Sequence, residues 1–280
     1  MAATDPKPTP FPEPERQPLP DPMPDPGPDD IPYLGVVGID AIWSALQAGW
    51  RDFRRAPAYG LFFSAFYVAG GLVLAAVAMA SGQEWWLMPF VVGFPLIAPF
   101  AAVGLYEVSR RIEAHEPLVW RQVLGVVLAQ KDRQIPSMAM LILLMFMFWV
   151  FVAHTTFALF MGVSSLTNVS SSPEILFQGR GLMMLLVGTL IGAGFASVLF
   201  SITVVGLPLI LDREVDLISA IIASFQAVAA NPGVMLVWAG VIAGMLFIGI
   251  LPMFLGLFIV LPVLGHASWH MYRQVMPDDE

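Results

Sequence analysis

Long apolar runs separated by short polar segments dominate the chain from residue 57 onward. A helix that crosses a bilayer needs about 20 mostly apolar residues. The runs therefore predict an all-α fold, a polytopic transmembrane helix bundle. We expect six spans, at about residues 57–80, 86–107, 136–161, 181–211, 233–249 and 252–270.

The last apolar run, Val234 to Gly265, is too long for one straight span. As a single helix it would extend about 48 Å, at about 1.5 Å per residue, whereas the hydrocarbon core is about 30 Å thick. Gly249, Pro252 and Gly256 lie in its middle. We interpret the run as two short spans that turn near Gly249 to Pro252. A single kinked helix is the alternative.

A shorter amphipathic pattern precedes each pair of spans. The first copy has apolar residues at helical spacing, namely Ile39, Ile42, Trp43, Leu46, Trp50 and Phe53. Residues 120–128 and 217–228 repeat the pattern before the third and fifth spans. Such helices lie in the headgroup plane of a membrane. The predicted plan is three units, each an interfacial helix followed by a transmembrane hairpin.

An internal repeat relates the first and third units at the level of single residues. Pro57 pairs with Pro232 at an offset of 175, as do Ala45 with Ala220 and Trp50 with Phe225. In the next span the offset is 163, which pairs Gly93 with Gly256, Pro99 with Pro262, Tyr106 with Trp269, and Arg110 with Arg273. The middle unit matches by layout alone. Chance matching is the alternative explanation, because a few apolar residue types make up most of the sequence.

The placement of basic residues predicts the orientation of the chain. Cytoplasmic segments of membrane proteins carry an excess of lysine and arginine. With six spans and a cytoplasmic N-terminus, every lysine and arginine except Arg180 lies on the cytoplasmic side. Five spans would move Arg273 outside. We therefore expect a multi-pass protein of a bacterial inner membrane with both termini in the cytoplasm.

The N-terminal segment has a different composition. Twelve of the 24 prolines lie between Pro6 and Pro32, and residues 1–30 carry a net charge of −5. Such a segment buries too little apolar surface to offset its ordering entropy. We expect residues 1–32 to be a disordered cytoplasmic tail, residues 33–275 the transmembrane domain, and residues 276–280 an acidic end. The tail is either a ligand for a proline-recognising or basic partner or a solubilising spacer, and it lacks the pattern of a signal peptide.

Composition excludes several classes of function. The chain is 58% hydrophobic and only 12% charged, which is typical of membrane proteins. Residues 31–275 hold eleven acids and eleven bases, so no nucleic-acid partner is expected. The absence of cysteine rules out thiolate catalysis, disulfides and thiolate metal sites. The expected partners are the lipid bilayer and another membrane protein, and the identity of any small-molecule ligand stays open.

Four blocks of sequence carry a family resemblance. They are GWRDFRRAPAYGLFF, GLPLILDREVD, SFQAVAANPGVMLVWAG and VLPVLGHASWHMYRQV. Over about Ile39 to Val275 the chain resembles the bacterial integral-membrane family known as domain of unknown function 2189. The block from Gly265 to Arg273 is the most specific part. The resemblance implies a multi-span membrane protein and implies no particular activity.

Histidines are the first candidate functional residues, because ionisable groups inside a bilayer are functional suspects. His154 should lie near the outer face, whereas His266 and His270 lie four apart on one helical face near the cytoplasmic end of the last span. The pair could supply two metal or haem ligands, but we predict no nearby acid to complete such a site. Hydrogen bonding to the chain is the competing interpretation. We therefore expect no cofactor and no metal.

Prolines, arginines and small residues form the remaining candidates. The in-span prolines Pro99, Pro208 and Pro262 permit kinks, which either frame a midplane site or shape packing. A predicted cytoplasmic ring of arginines could meet lipid phosphates or a partner: Arg54, Arg55, Arg110, Arg111, Arg213 and Arg273. Glycines of the fourth and fifth spans, including Gly240 and Gly244, are interpreted as close-packing positions.

No phosphate loop, nucleophile elbow or zinc helix motif is present in the sequence. Our first hypothesis is therefore a non-enzymatic membrane protein that works by interaction, for instance in the assembly of other membrane complexes. The alternative is a small-molecule or lipid transporter built from repeated hairpins. A polar central cavity would favour transport, and a densely packed apolar interior would count against it.

Overall fold

The computed structural model describes residues 34–81, 88–161, 177, 179–213 and 215–277. The chain divides into two units, residues 1–30 and residues 31–280. The predicted disordered tail therefore lies outside the described residues.

Every regular element in the described residues is a helix, which confirms the predicted all-α class. Ten α-helices follow one another, with one short 3-10 turn at Gln130–Asp132. They are α1 Asp40–Arg55, α2 Pro57–Ser81, α3 Met88–Glu113, α4 Trp120–Ala129, α5 Ile135–Met161, α6 Gly179–Thr203, α7 Gly206–Arg213, α8 Leu217–Ala230, α9 Pro232–Ile250 and α10 Leu257–Val275.

Four helical segments are long and apolar enough to cross a membrane. They are Pro57–Val77, Ile135–Phe160, Gly179–Arg213 and Pro232–Ile250. Helices α3 and α10 occupy the other two predicted spans but are not among these four. Two histidines, an arginine and a glutamine in α10 make it more polar than the four. The described residues thus contain four candidate spans, and the six-span, three-unit arrangement stays a prediction.

The segment from residue 233 to 270 forms two helices rather than one kinked helix. Six residues, 251–256, connect α9 to α10, and within them Met253 and Phe254 have φ angles of 53° and 66°. A Cβ atom on Gly256 would lie 2.7 Å from the carbonyl oxygen of Gly249. The turn therefore brings these two glycine backbones together where no side chain fits.

A break near Pro208 divides the fourth predicted span into α6 and α7. Proline has no N–H to donate to the carbonyl four residues earlier, which here is that of Val204. Between the two helices, the N–H of Val205 donates to Ser224 Oγ of α8 at 3.2 Å. The predicted in-span proline thus marks a helix break that the following amphipathic helix stabilises.

The buried core lies at one end of the bundle. There the last turns of α3 and α10 meet α1, α7, α8 and the first turns of α5 and α9. Trp238, Trp269 and Tyr272 are among its largest fully buried side chains. By contrast, only 17% of the most apolar window of α5, and 17% of that of α9, is buried within the protein. The long helices therefore extend from a packed end towards surfaces that only lipid or a partner can cover.

Helix α1 packs along α10. Ile39, Trp43 and Trp50 of the predicted apolar face are exposed, and the location of this face in the headgroup plane stays a prediction. The buried positions are mostly small: Ala41, Ile42, Ala45, Gly49, Asp52 and Phe53. Small residues let two helix backbones approach closely, so the face that packs on α10 is the one with the shortest side chains.

Candidate functional site

A buried polar cluster joins three helices at the packed end of the bundle. We define it as Asp52 of α1, Ser109 of α3, and His266 and His270 of α10. Ser109 and His266 are 0% exposed and Asp52 is 4% exposed. Buried polar side chains are tolerated when they hydrogen-bond one another. The cluster is therefore the first place to look for chemistry.

The four side chains form one continuous chain of hydrogen bonds. Ser109 Oγ donates to Asp52 Oδ2 at 2.9 Å and lies 2.8 Å from His266 Nδ1. His270 Nε2 lies 2.7 Å from the same Asp52 oxygen. Since Ser109 has one hydroxyl proton and gives it to the carboxylate, His266 must donate from Nδ1 to Ser109. The order of the contacts is thus His270, Asp52, Ser109, His266.

The carboxylate of Asp52 is held in its charged form. Burial raises the pKa of Asp52, but the contacts with His270 and Ser109 outweigh that effect and leave the pKa below its ordinary value of 3.8. Asp52 and His270 form an ion pair when the imidazole is protonated. A buried carboxylate with hydrogen-bond donors from two other helices is a strong constraint on helix packing.

The contact order differs from that of a serine hydrolase. In a nucleophilic triad the histidine lies between serine and the acid, whereas here Ser109 lies between Asp52 and His266. Ser109 is also fully buried, so no substrate carbonyl can reach it. Across the described residues no group of three or more His, Asp or Glu side chains is arranged to hold a metal ion.

His266 nevertheless has an unsatisfied atom. Its Nε2 is buried and has no hydrogen-bond partner among the described residues. With Nδ1 protonated, Nε2 carries a lone pair and can only accept. The cluster thus ends in a buried acceptor, which makes a positively charged imidazole unfavourable at this position.

A second set of polar side chains, the charged network, surrounds the ends of α3 and α10. Glu107 is 1% exposed and accepts from Arg110 Nε at 2.8 Å and from Arg111 Nε at 2.6 Å. Both arginines also pair with Glu116, at 3.7 and 3.3 Å. Bidentate pairs of this kind are the stronger ion pairs in proteins.

The charged network continues across to α10 and α7. Arg273 pairs with Glu113 at 3.2 Å and with Asp212 at 3.6 Å. The Tyr272 hydroxyl donates to Asp212 at 2.7 Å, and Trp269 Nε1 donates to Glu113 at 2.9 Å. Acids from two helices thus neutralise the basic end of a third.

The predicted arginine ring therefore divides into two groups. Arg110, Arg111 and Arg273 belong to the charged network, and Arg213 donates to the carbonyl of Pro277 at 3.3 Å. Arg54 and Arg55 are exposed at the end of α1 and form no ion pair or side-chain hydrogen bond with any residue that the structure describes. Of the predicted ring, only Arg54 and Arg55 are available to an outside partner.

The other predicted site residues are spread over the fold. His154 is exposed on α5, and its Nδ1 lies 2.8 Å from the carbonyl of Val150 in the same helix. Pro99 lies in the first half of α3, Pro208 is buried in α7, and Pro262 is buried inside α10. The structure brings His266 and His270 together with an acid, Asp52, so the expectation of no nearby acid was wrong.

Apolar side chains line three cavities between helices of the described residues. A cavity of about 390 Å³ lies between α5 and α6 beside Trp149, and one of about 340 Å³ adjoins it. A third, of about 180 Å³, lies between α2, α3, α9 and α10. No charged side chain lines these three cavities. Two of the lining hydroxyls are bonded to their own helices, Thr156 to the carbonyl of Val152 and Ser64 to that of Gly60.

Part of the chain matches a known protein family. Residues 87–212 match the family described as predicted integral membrane protein (DUF2189). The match confirms the resemblance over α3 to α7, which includes Ser109 and most of the charged network. The DUF2189 match does not reach α1 or α10, so the predicted likeness of the Gly265 to Arg273 block stays a prediction. No curated protein and no solved structure matches the chain.

Proposed function

We propose that this membrane protein is not an enzyme and works by binding a helix of another membrane protein, as an assembly or organising factor for membrane complexes. The observation that carries the proposal is the outward face of α9. That face is both uncovered and shaped for close contact with a second helix.

The exposed side of α9 has two glycines four residues apart at its centre. A Cβ atom on Gly240 or Gly244 would meet nothing within 4 Å. Leu236 and Phe247 flank them and are 73% and 66% exposed. Two small residues at this spacing allow close helix association within a bilayer. The sequence predicted these glycines as close-packing positions, and in the described structure both are exposed.

The interior supports a role without catalysis. The side chains of the buried polar cluster hydrogen-bond one another, and those of the charged network pair with one another. The buried Ser109 is inaccessible. These bonds hold helices together, which is the ordinary function of satisfied buried polar groups. Three buried side-chain atoms of the described interior lack a hydrogen-bond partner, namely Gln130 Oε1, Trp238 Nε1 and His266 Nε2.

The transporter alternative has less support. A carrier for a polar solute needs polar groups that replace its hydration shell. The three cavities between the helices carry apolar linings and no charged side chain. Exposed His154 is bonded to its own helix. A lipid carrier would still be compatible with apolar cavities, and the experiment below distinguishes that outcome.

The test is purification of the full-length protein from its native membranes in mild detergent, followed by quantitative mass spectrometry. The wild type is compared with a Gly240→Leu/Gly244→Leu variant, which fills the α9 face. We expect a stoichiometric membrane protein to accompany the wild type. The amount of this partner that copurifies with the variant should be at least about tenfold lower, equivalent to about 1.4 kcal/mol of binding free energy.

A matched control places the same bulk on α6. Gly188→Leu/Gly194→Leu is suitable because a Cβ atom at either position also meets nothing within 4 Å. The control should retain the partner. A partner retained by the α9 variant would reject α9 as the binding surface. A wild type that purifies alone with a defined lipid or solute would reject the interaction function in favour of transport.

A further inference from the structure

The end of α1 carries an unneutralised cluster of positive charge. Arg51, Arg54 and Arg55 are exposed and form no ion pair with any residue that the structure describes. The exposed acid of α1, Asp40, is three helical turns from Arg51, about 16 Å along the axis. Asp52 lies within the stretch but is buried against His270 and Ser109. These three arginines therefore differ from those of the charged network.

The cluster adjoins the start of a candidate span. Helix α1 ends at Arg55, and the apolar segment Pro57–Val77 begins two residues later. A span that starts there fixes the arginines at the level where hydrocarbon gives way to headgroups. Their aliphatic stems can lie along the apolar layer while the guanidinium groups extend into the headgroup region.

Helix α4 contributes to the same surface. The Trp120 ring stacks on Tyr59 of the first turn of α2, with 3.9 Å between the ring centroids. This contact places the first turn of α4, including exposed Arg121, beside the junction of α1 and α2. No ion pair of Arg121 occurs within the described residues. We call Arg51, Arg54, Arg55 and Arg121 the basic corner.

Exposed aromatic residues accompany the basic corner. Trp43 and Trp50 lie on the outward side of α1 and are 66% and 43% exposed, and Trp120 is 39% exposed. Tryptophan is enriched at the membrane–water interface, where its amphipathic ring fits the headgroup level.

We propose that the basic corner is a binding site for the headgroups of anionic phospholipids. Its guanidinium groups meet the phosphates and the tryptophans fix the depth of α1 in the interface. Arginine suits this ligand because its planar guanidinium forms paired hydrogen bonds with phosphate oxygens. The remaining arginines of the predicted ring cannot take part, because carboxylates or a carbonyl of the chain already bind them.

A lipid surface fits this site better than an acidic protein segment. The corner is contiguous with a span, so lipid headgroups surround it at high local concentration in any membrane. Its tryptophans are spread along about two turns of α1 in one line rather than gathered into a pocket, since Trp43 and Trp50 are seven residues apart. A line of aromatic and basic residues is typical of helices that lie on membranes.

The test uses full-length protein reconstituted in phosphatidylcholine nanodiscs. Phosphatidylglycerol makes up from none to about 30% of the lipid, which varies the negative surface charge. Native mass spectrometry after release counts the phosphatidylglycerol that stays bound. An Arg51→Gln/Arg54→Gln/Arg55→Gln variant should bind it at least about tenfold less tightly, since each arginine near an anionic surface contributes about fivefold. Salt should weaken wild-type binding.

Two controls keep the result interpretable. The corresponding triple lysine variant retains the charge and should retain most of the binding. Arg180→Gln removes an exposed cation from the start of α6 and should have no effect. Equal melting temperatures in pure phosphatidylcholine show that the variants are folded. Unchanged phosphatidylglycerol binding by the glutamine variant overturns the proposal. A wild type that does not prefer this lipid overturns it too. So does a result in which the substitutions weaken the binding of a protein partner and leave lipid binding unchanged.

Discussion

At the scale of single residues, Asp52 determines how α1 meets the rest of the protein. It lies on a helix whose other buried side chains are apolar, yet it is 4% exposed. Its carboxylate accepts from Ser109 and is 2.7 Å from His270 Nε2. An isolated buried carboxylate would be strongly destabilising. Partners on α3 and α10 instead convert it into a contact that specifies one arrangement of three helices.

We predict that Asp52→Asn destabilises the protein by about 2 kcal/mol, a typical result of weakening a buried charged hydrogen-bond network. The amide oxygen can still accept one bond, but the charge that stabilises the donors is gone. Thermal unfolding of purified protein at pH 7, followed by circular dichroism, measures the effect. Asp40→Asn on the exposed side of α1 is the control and should change stability by less than about 0.5 kcal/mol.

The same substitution should change the response to acid. Because the pKa of Asp52 in the folded protein lies below its ordinary value of 3.8, the ionised carboxylate stabilises the fold above that pH. The stabilisation is lost as the pH falls through the folded-state pKa. The stability difference between wild type and Asp52→Asn should therefore be largest near neutrality and shrink below about pH 3.8. A difference that grows with acid would contradict this assignment of charge.

At the scale of helices, the position of α1 could be predicted from the sequence, but its buried face could not. Aromatic and aliphatic residues at helical spacing located the helix. The spacing of the large apolar residues predicted a face that lies in the headgroup plane, and it carried no signal for the face that packs on another helix. In contact with a membrane, large apolar residues remain stable on the outside, and small residues at the interface allow close packing. Gly49 marks that close approach more clearly than Trp43 or Trp50.

We predict that Gly49→Ala disrupts the packing of α1 on α10. An added Cβ atom would lie 2.6 Å from the backbone N of Ala267 and 2.7 Å from the carbonyl oxygen of Val263. Neither backbone atom can move away easily, so the helices must separate. We expect a loss of about 2 kcal/mol, within the range for overpacked sites. Thermal unfolding in detergent measures it.

Gly125→Ala is a control with the opposite expected sign. Gly125 lies inside α4, and a Cβ atom there meets nothing within 4 Å. Replacing glycine by alanine inside an exposed helix stabilises it by about 0.5–1 kcal/mol. If both variants changed stability equally, close backbone contact would not explain the role of Gly49.

At the scale of the whole molecule, the sequence predicted the helices far better than their contacts. Prolines at Pro57 and Pro232 begin long helices directly after short ones, as the pattern indicated. The decisive polar contacts join distant parts of the chain: Asp52 and His270 are 218 residues apart. Asn231 likewise accepts from the N–H of Val37, 194 residues away. No periodicity along the chain encodes such pairs, because they depend on how the helices assemble.

Some paired positions of the predicted repeat have similar exposure. Ala45 and Ala220 are both 0% exposed, and Trp50 and Phe225 are 43% and 42% exposed. The paired residues Tyr106 and Trp269 contact each other, with 6.4 Å between ring centroids. The relation of the third unit to the first stays a prediction.

Six spans predict that the two ends of the transmembrane domain lie on the same side of the membrane and that the turn between α9 and α10 lies on the other. The chain has no cysteine, so single cysteines can report topology without background. Met253→Cys lies in that turn, where the side chain is 54% exposed, and Pro277→Cys is exposed just beyond α10. A membrane-impermeant maleimide should label Met253→Cys in intact cells, and Pro277→Cys only after lysis. Labelling of Pro277→Cys from outside would mean that α10 does not return across the membrane. The polar residues of its last turns would then lie outside the cytoplasm, contrary to what the arginine placement predicts.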